Sequence, residues 1–191
     1  MLNRNVIFLD RDGVINHDSP DYIKSWAQFE FLPGSLEALR LLTQSGYRLI
    51  LITNQSIVNR GMVPAEVLSD IHDHLRQSVA EAGGRIEDIF FCPHRPDENC
   101  ACRKPKPGLI QQAIQRYGID PAAGMMIGDN AKDILCGRNA GCGATMLVQT
   151  GNGLRAQQDL ADQQIEPDYV VSDLLHGARL ILSQTVAPGR N

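Results

Sequence analysis

Short apolar runs alternate with helix-patterned segments along most of this chain, and that order allows few folds. Residues 6–9, 48–53, 86–91, 125–127, 144–148 and 169–171 read as buried strands. Residues 34–45 read as a helix, with Leu36, Leu39 and Leu42 three apart and Gly46 as the stop. Residues 64–82 carry Val67, Ile71, Leu75 and Val79 every four positions, with Pro64 in the first turn and Gly83 at the end. Residues 108–117 and 131–140 are helical in pattern, and Asp173 caps a last helix through Ser183. Strand–helix–strand repetition predicts an α/β fold, a mostly parallel sheet with helices on both faces. The 191 residues suit one domain, expected over 1–186, followed by a disordered tail at 187–191.

Two carboxylates stand where the first strand ends, in Phe8-Leu9-Asp10-Arg11-Asp12-Gly13-Val14. The loop after a buried strand is where an α/β fold places its chemistry. Gly13 permits a sharp turn there, and the pair suits a nucleophile, a general acid and a magnesium site packed together. Three more strands end in reactive groups. Thr53-Asn54-Gln55-Ser56 offers a hydroxyl and amides for phosphate oxygens. Arg103-Lys104-Pro105-Lys106-Pro107 offers cations aimed by prolines. Gly128-Asp129-Asn130 follows the fourth strand, with Asp133 one helical turn further on.

Residues 17–32 and 92–107 are the irregular stretches, and loops of that length are commonly functional. The second holds Cys92, His94, Cys100 and Cys102, three sulfurs and one imidazole. They make a full tetrahedral set for zinc with no position left for water, which argues for a structural site. Cys136 and Cys142 lie in apolar or small-residue surroundings and read as inert buried thiols.

Composition narrows the partners. A net charge of −4 argues against a basic groove for nucleic acid. No run of about 20 apolar residues crosses a membrane, and Met1-Leu2-Asn3-Arg4 runs straight into the first strand without a signal peptide. A monomeric cytoplasmic protein is expected.

Taken in order, Asp10-x-Asp12-Gly-Val, Thr53, Lys104 and Gly128-Asp129 resemble the four motifs of the haloacid dehalogenase-like phosphohydrolases, over residues 6–148. The resemblance implies a Rossmann-like three-layer sandwich whose motifs converge on one phosphate. It implies Asp10 as nucleophile forming an aspartyl-phosphate and Asp12 as general acid and then base. Thr53 and Lys104 would stabilise the transferring phosphoryl group. Magnesium would sit on Asp10, the Asp12 backbone carbonyl and Asp129, with Asp133 orienting Lys104 or a metal-bound water.

The zinc loop narrows the resemblance to members acting on heptose bisphosphates and histidinol phosphate. Asn54-Gln55-Ser56 with Asn59-Arg60-Gly61 is similar to the heptose-specific members, which implies removal of the 7-phosphate of a heptose 1,7-bisphosphate on the way to surface-polysaccharide precursors. Ile57 replaces a glycine of that pattern, and Asn130 stands where some members have lysine. The resemblance also implies Asn16, Asp18 and Ser19, then Asn54, Gln55 and Ser56, then Arg103 and Asn130, as contacts to the sugar or its second phosphate. Histidinol-phosphate hydrolysis and a zinc-stabilised module without catalysis are the alternatives; the intact Asp10, Asp12, Lys104 and Asp129 count against the second. Twenty-one positions separate Gly13 from Gly34, too few for a large cap domain. Trp26, Phe29 and Phe31 serve in that loop either as a sugar platform or as core anchors.

Overall fold

The computed structural model describes residues 6–185. The expected tail and the segment before the first strand lie outside the described residues. Six strands form one all-parallel sheet: β1 (Val6–Leu9), β2 (Arg48–Asn54), β3 (Ile86–Cys92), β4 (Gly124–Gly128), β5 (Ala144–Val148) and β6 (Tyr169–Val171), in the order β3-β2-β1-β4-β5-β6. Six helices connect or follow them: α1 (Ser35–Gln44), α2 (Ala65–Glu81), α3 (Gly108–Tyr117), α4 (Ala131–Asn139), α5 (Gly153–Asp162) and α6 (Leu174–Thr185).

Strand alternation sorts the core into two layers. Ile7 and Leu9, Leu49 and Leu51, and Met125 and Ile127 face α1, α2 and α6. Val6 and Phe8, Ile50 and Ile52, and Met126 face α3 and α4. Leu147 packs with Ile134 of α4 and with Ala156 and Leu160 of α5. Strands buried on both faces are apolar throughout, as parallel sheets require. This is the expected three-layer sandwich.

The sheet order reverses between β1 and β4. Ligands of open α/β sheets bind at such a switch point, beyond the carboxyl ends of the strands. Here those ends are Asp10 after β1 and Asp129 after β4, side by side because Leu9 pairs with Ile127.

Residues 14–34 form a short excursion, not a cap domain. Its two limbs close on each other through Leu32 N to Ile15 O and His17 N to Glu30 O, both 2.9 Å. Phe29 is buried in the core, and Trp26 stacks on it at 4.8 Å and on His74 of α2 at 5.2 Å. Of the two readings of this aromatic group, the anchor is the one that the packing supports.

Two sequence expectations need adjustment. Pro64 precedes α2 as its N-cap instead of entering its first turn. Helix α5 was not expected: only Ala156 and Leu160 of its side chains, with Gly153, are buried, too sparse an apolar stripe to register as a period. Asp173 does cap α6, its Oδ1 accepting the His176 amide at 2.8 Å.

Candidate active site

A cavity of about 310 Å³ opens over the carboxyl ends of β1, β2 and β4. Asp10, Asp12, Thr53, Lys104, Asp129 and Asp133 all line it. The four motif groups, spread along the sequence, meet here because each follows a central strand or is carried in by the 92–107 loop.

Lys104 lies at the bottom, with almost none of its side chain exposed. Its ammonium has three acceptors around it: Asp10 Oδ1 at 2.8 Å, Asp133 Oδ1 at 2.7 Å and the Ile52 carbonyl at 2.8 Å. The Asp133 contact is an ion pair more than a well-directed hydrogen bond. Burial alone would favour a neutral lysine, but the two carboxylates outweigh it and hold the ammonium charged above its ordinary range. The Asn54 side chain fixes the Lys104 backbone on both sides, Oδ1 accepting its N–H at 3.1 Å and Nδ2 donating to its carbonyl at 3.4 Å.

Opposite Lys104 sits an excess of negative charge. Asp10, Asp129 and Asp133 bring carboxylate oxygens within 4.8 Å of one another. Burial, and then the neighbouring carboxylates, push Asp129 up to about 8. Burial, and then Asp133 against the opposing pull of Lys104, push Asp10 up to about 7. One ammonium cannot neutralise three buried carboxylates, and a hard divalent cation with oxygen ligands fits that donor set. The Asp12 carboxylate stands outside the cluster.

Asp129 is seated by glycines. A Cβ on Gly13 (φ +76°) would lie 2.1 Å from Asp129 Oδ2, and one on Gly151 (φ +56°) 2.2 Å from it. The Asn152 backbone N–H donates to the same oxygen at 2.8 Å.

Asp12 is gripped from several sides. Arg11, fully buried, donates through Nη2 to both oxygens at 2.8 and 2.9 Å. Asn16 Nδ2 donates to Oδ1 and Gln55 Nε2 to Oδ2, each at 2.8 Å. Burial works against ionisation here, but Arg11 and these donors hold the Asp12 carboxyl below its ordinary range. Gln55 also donates to Thr53 Oγ1 at 2.9 Å.

Of the expected substrate contacts, Asp18, Ser19, Asn54, Gln55, Arg103 and Asn130 line the cavity. Asn16 and Ser56 do not: both are buried. Asn16 spends its amide on Asp12 and on the His17 carbonyl, and Ser56 Oγ accepts from Arg60 Nε at 3.4 Å. Neither lines the cavity, and the partners of both side chains lie within the scaffold. Asn130 Oδ1 caps α4 by accepting the Lys132 amide at 3.2 Å.

Residues 101–177 match the family described as "HAD-hyrolase-like". A D-glycero-beta-D-manno-heptose-1,7-bisphosphate 7-phosphatase of Bordetella bronchiseptica is 46% identical over 148 residues, 78% of this chain and 82% of the relative. The enzyme of that name from Neisseria meningitidis serogroup A is 37% identical over 96% of this chain and 97% of its own. The chain belongs to the HAD-like hydrolases, in the branch of these heptose-bisphosphate phosphatases. The crystal structure of the B. bronchiseptica D,D-heptose 1,7-bisphosphate phosphatase, complexed with magnesium and phosphate, superposes with a TM-score of 0.88 at 42% identity, over 94% of this chain and 99% of that one.

In this HAD-like hydrolase the 92–107 loop gathers a second donor set. Cys92 Sγ lies 3.2 Å from Cys102 Sγ and 3.5 Å from Cys100 Sγ, while His94 Nδ1 lies 3.3 Å from Cys102 Sγ and 3.5 Å from Cys92 Sγ. Thiolates about 2.3 Å from a tetrahedral zinc stand roughly 3.8 Å apart, so the four donors need open only slightly to close around the ion. Arg103 follows directly, one guanidinium nitrogen donating to the His94 carbonyl at 2.9 Å. Cys136 and Cys142 are not part of the set, and burial pushes both thiols up to about 12.

Sequence reasoning missed Arg11, Asn152 and Lys132, which also line the cavity. Arg11 lay inside the quoted motif, and an arginine beside a carboxylate on a buried strand end was the available signal. Asn152 gave none, because its position depends on the unexpected α5.

Proposed function

We propose that this chain is a magnesium-dependent phosphatase that removes the 7-phosphate of D-glycero-β-D-manno-heptose 1,7-bisphosphate through an aspartyl-phosphate on Asp10. One observation carries the reading: in a chain up to 46% identical to enzymes of that name, Asp10, Lys104, Asp129 and Asp133 meet in one cavity at the sheet's switch point.

Asp10 Oδ1 is committed to Lys104 and to the Arg11 amide at 2.7 Å, which leaves Oδ2 as the attacking oxygen. Attack forms the Asp10–phosphorus bond as the bond to the sugar oxygen breaks, splitting hydrolysis into two displacements. Lys104 has its N–H groups engaged, so it acts through charge and by orienting Asp10 more than as a free donor. The Thr53 hydroxyl donates to a phosphoryl oxygen. Magnesium, held by Asp10, Asp129 and the Asp12 backbone, supplies charge neutralisation between an anionic nucleophile and an anionic phosphate. Asp12 gives a proton to the leaving alkoxide and later takes one from water. Its ionised resting form suits the second task, and an arriving phosphate, by like-charge proximity, raises its affinity for the proton needed in the first.

Zinc on Cys92, His94, Cys100 and Cys102 holds the loop that delivers Arg103 and Lys104. Arg103, with part of its guanidinium facing the cavity, reaches the second phosphate, and Asp18, Ser19, Asn54 and Asn130 border the sugar. The proposed enzyme is a single domain over residues 1–186, works as a cytoplasmic monomer and completes its site from one chain. Among the described residues no helix is long and apolar enough to cross a membrane.

Phosphate release with magnesium tests the reading on the β- and α-heptose bisphosphates, fructose 1,6-bisphosphate and histidinol phosphate, with Asp10→Asn as the blank. The β-heptose bisphosphate is expected to lead in kcat/KM. Preference for histidinol phosphate would replace the substrate, and release by Asp10→Asn equal to the unmodified chain would remove the nucleophile.

A further inference from the structure

Among the described residues Arg11 is the largest fully buried side chain, and the proposed reaction gives it no direct contact with the transferring phosphate. A buried guanidinium needs its N–H groups satisfied. Nε and Nη2 go to Asp12. Nη1 points the other way, to His72 Nε2 at 3.4 Å. The Phe29 ring lies beneath the guanidinium at 5.9 Å.

His72 belongs to the buried face of α2, beside Ile71 and Leu75, an apolar position where a hydrocarbon side chain would pack. Phe91 of β3 closes over its ring edge-on at 5.7 Å. Arginine has only donors, so His72 Nε2 accepts and the ring proton resides on Nδ1. Burial, and then the Arg11 charge, lower the histidine to about 3, which keeps it a neutral acceptor.

We propose that His72 is a positioning residue for proton transfer: it fixes Arg11, and Arg11 fixes the Asp12 carboxylate toward the leaving group. The inference rests on the phosphatase reading and on Asp12 as general acid. Two elements, α2 and the turn after β1, are joined by this line of side chains. His72 touches neither the cavity nor the metal cluster.

The leaving group provides the test. A sugar alkoxide needs a proton to leave, whereas dinitrophenolate does not, so a misplaced acid slows the first displacement on the sugar ester only; the later attack of water, which Asp12 serves as base, is common to both esters. General acid–base catalysis contributes on the order of 10²–10⁴-fold, and partial misplacement of Asp12 should remove about ten-fold or more of it. In single-turnover measurements of leaving-group release, His72→Leu is expected to slow release from the heptose bisphosphate by about that factor, and to leave the dinitrophenolate burst from 2,4-dinitrophenyl phosphate within about three-fold of the unmodified enzyme. His72→Gln, which retains an acceptor, should recover most of the loss. Should His72→Leu not fold, Arg11→Lys carries the same test, since a one-point ammonium cannot hold both Asp12 oxygens. Equal losses in the leaving-group release step of the two esters, no loss in His72→Leu, or His72→Gln as impaired as His72→Leu would overturn the role of His72 and leave the phosphatase reading standing. An unmodified enzyme inactive on both esters would overturn the phosphatase reading, and this inference with it.

Discussion

The Lys104 ammonium lies 2.7 Å from the Asp133 carboxylate, and both side chains are almost closed to solvent. A buried pair gains little net stability, because desolvation offsets the attraction, but removing one partner leaves an uncompensated buried charge. Lys104→Met removes the single cation from a nook holding Asp10, Asp129 and Asp133. Breaking one side of a buried pair costs roughly 3–5 kcal/mol, so the urea midpoint measured without magnesium should fall by a corresponding amount. Turnover should vanish on sugar and aryl phosphates alike, because both share the transferring phosphoryl group.

Magnesium binding should release protons. Asp129 is raised to about 8 and Asp10 to about 7, so at pH 7 the empty cluster carries protons that a cation must displace. The sign follows from the raised values: apparent magnesium affinity climbs as pH rises through this window and levels off above it. Calorimetric titration in two buffers of different ionisation enthalpy should report about one proton released per ion at pH 7 and close to none at pH 9.5. Equal heats in both buffers at pH 7 would contradict the pair of raised carboxylates.

A methyl group at Gly151 should cost metal affinity and stability together. Its Cβ would overlap Asp129 Oδ2, and φ +56° already disfavours any side chain there. The carboxylate has to turn away. Gly151→Ala is expected to raise the magnesium concentration for half-maximal activity by about 10–100-fold, the range seen when groups that orient a ligand are lost. The same Cβ would lie 2.7 Å from the Gly13 backbone, so the turn after β1 must also shift and the melting temperature should fall with the affinity.

Arg103 and Lys104 are neighbours with separate duties. Arg103 shares the cavity wall while tied to the His94 carbonyl; Lys104 lies at the cavity floor against Asp10, the proposed nucleophile. Arg103→Ala should therefore reduce kcat/KM for a sugar bisphosphate by about ten-fold or more while sparing an aryl phosphate that lacks a second phosphate. Equal losses on both would place Arg103 with the general catalytic groups.

Much of this geometry was readable from residue patterns. Ile7 and Leu9 against Val6 and Phe8 announce a strand buried on both faces, and a motif at its end announces the site. The Cys92–His94–Cys100–Cys102 spacing announces a closed metal loop. What escaped reading were relationships between distant side chains. Whether Asn16 faces sugar or Asp12 depends on how residues 15–17 pair with 30–32, and local sequence does not say. Asn152 escaped because α5 buries too few side chains to show a period. Nothing in the α2 pattern of Val67, Ile71, Leu75 and Val79 singles out His72; its contact with Arg11, sixty-one positions away, exists only in the fold.

The Asn54 amide holds the Lys104 backbone by both its N–H and its carbonyl, across fifty positions of sequence. Strand β2 thus carries a receptor for the far end of the metal loop. The one cation set among Asp10, Asp129 and Asp133 is therefore anchored from two directions, by the end of the strand and by the loop that gathers Cys92, His94, Cys100 and Cys102. The counter-charge of the carboxylate cluster is tied in this way to the fold of a second donor set, and the two ion sites share one segment of chain.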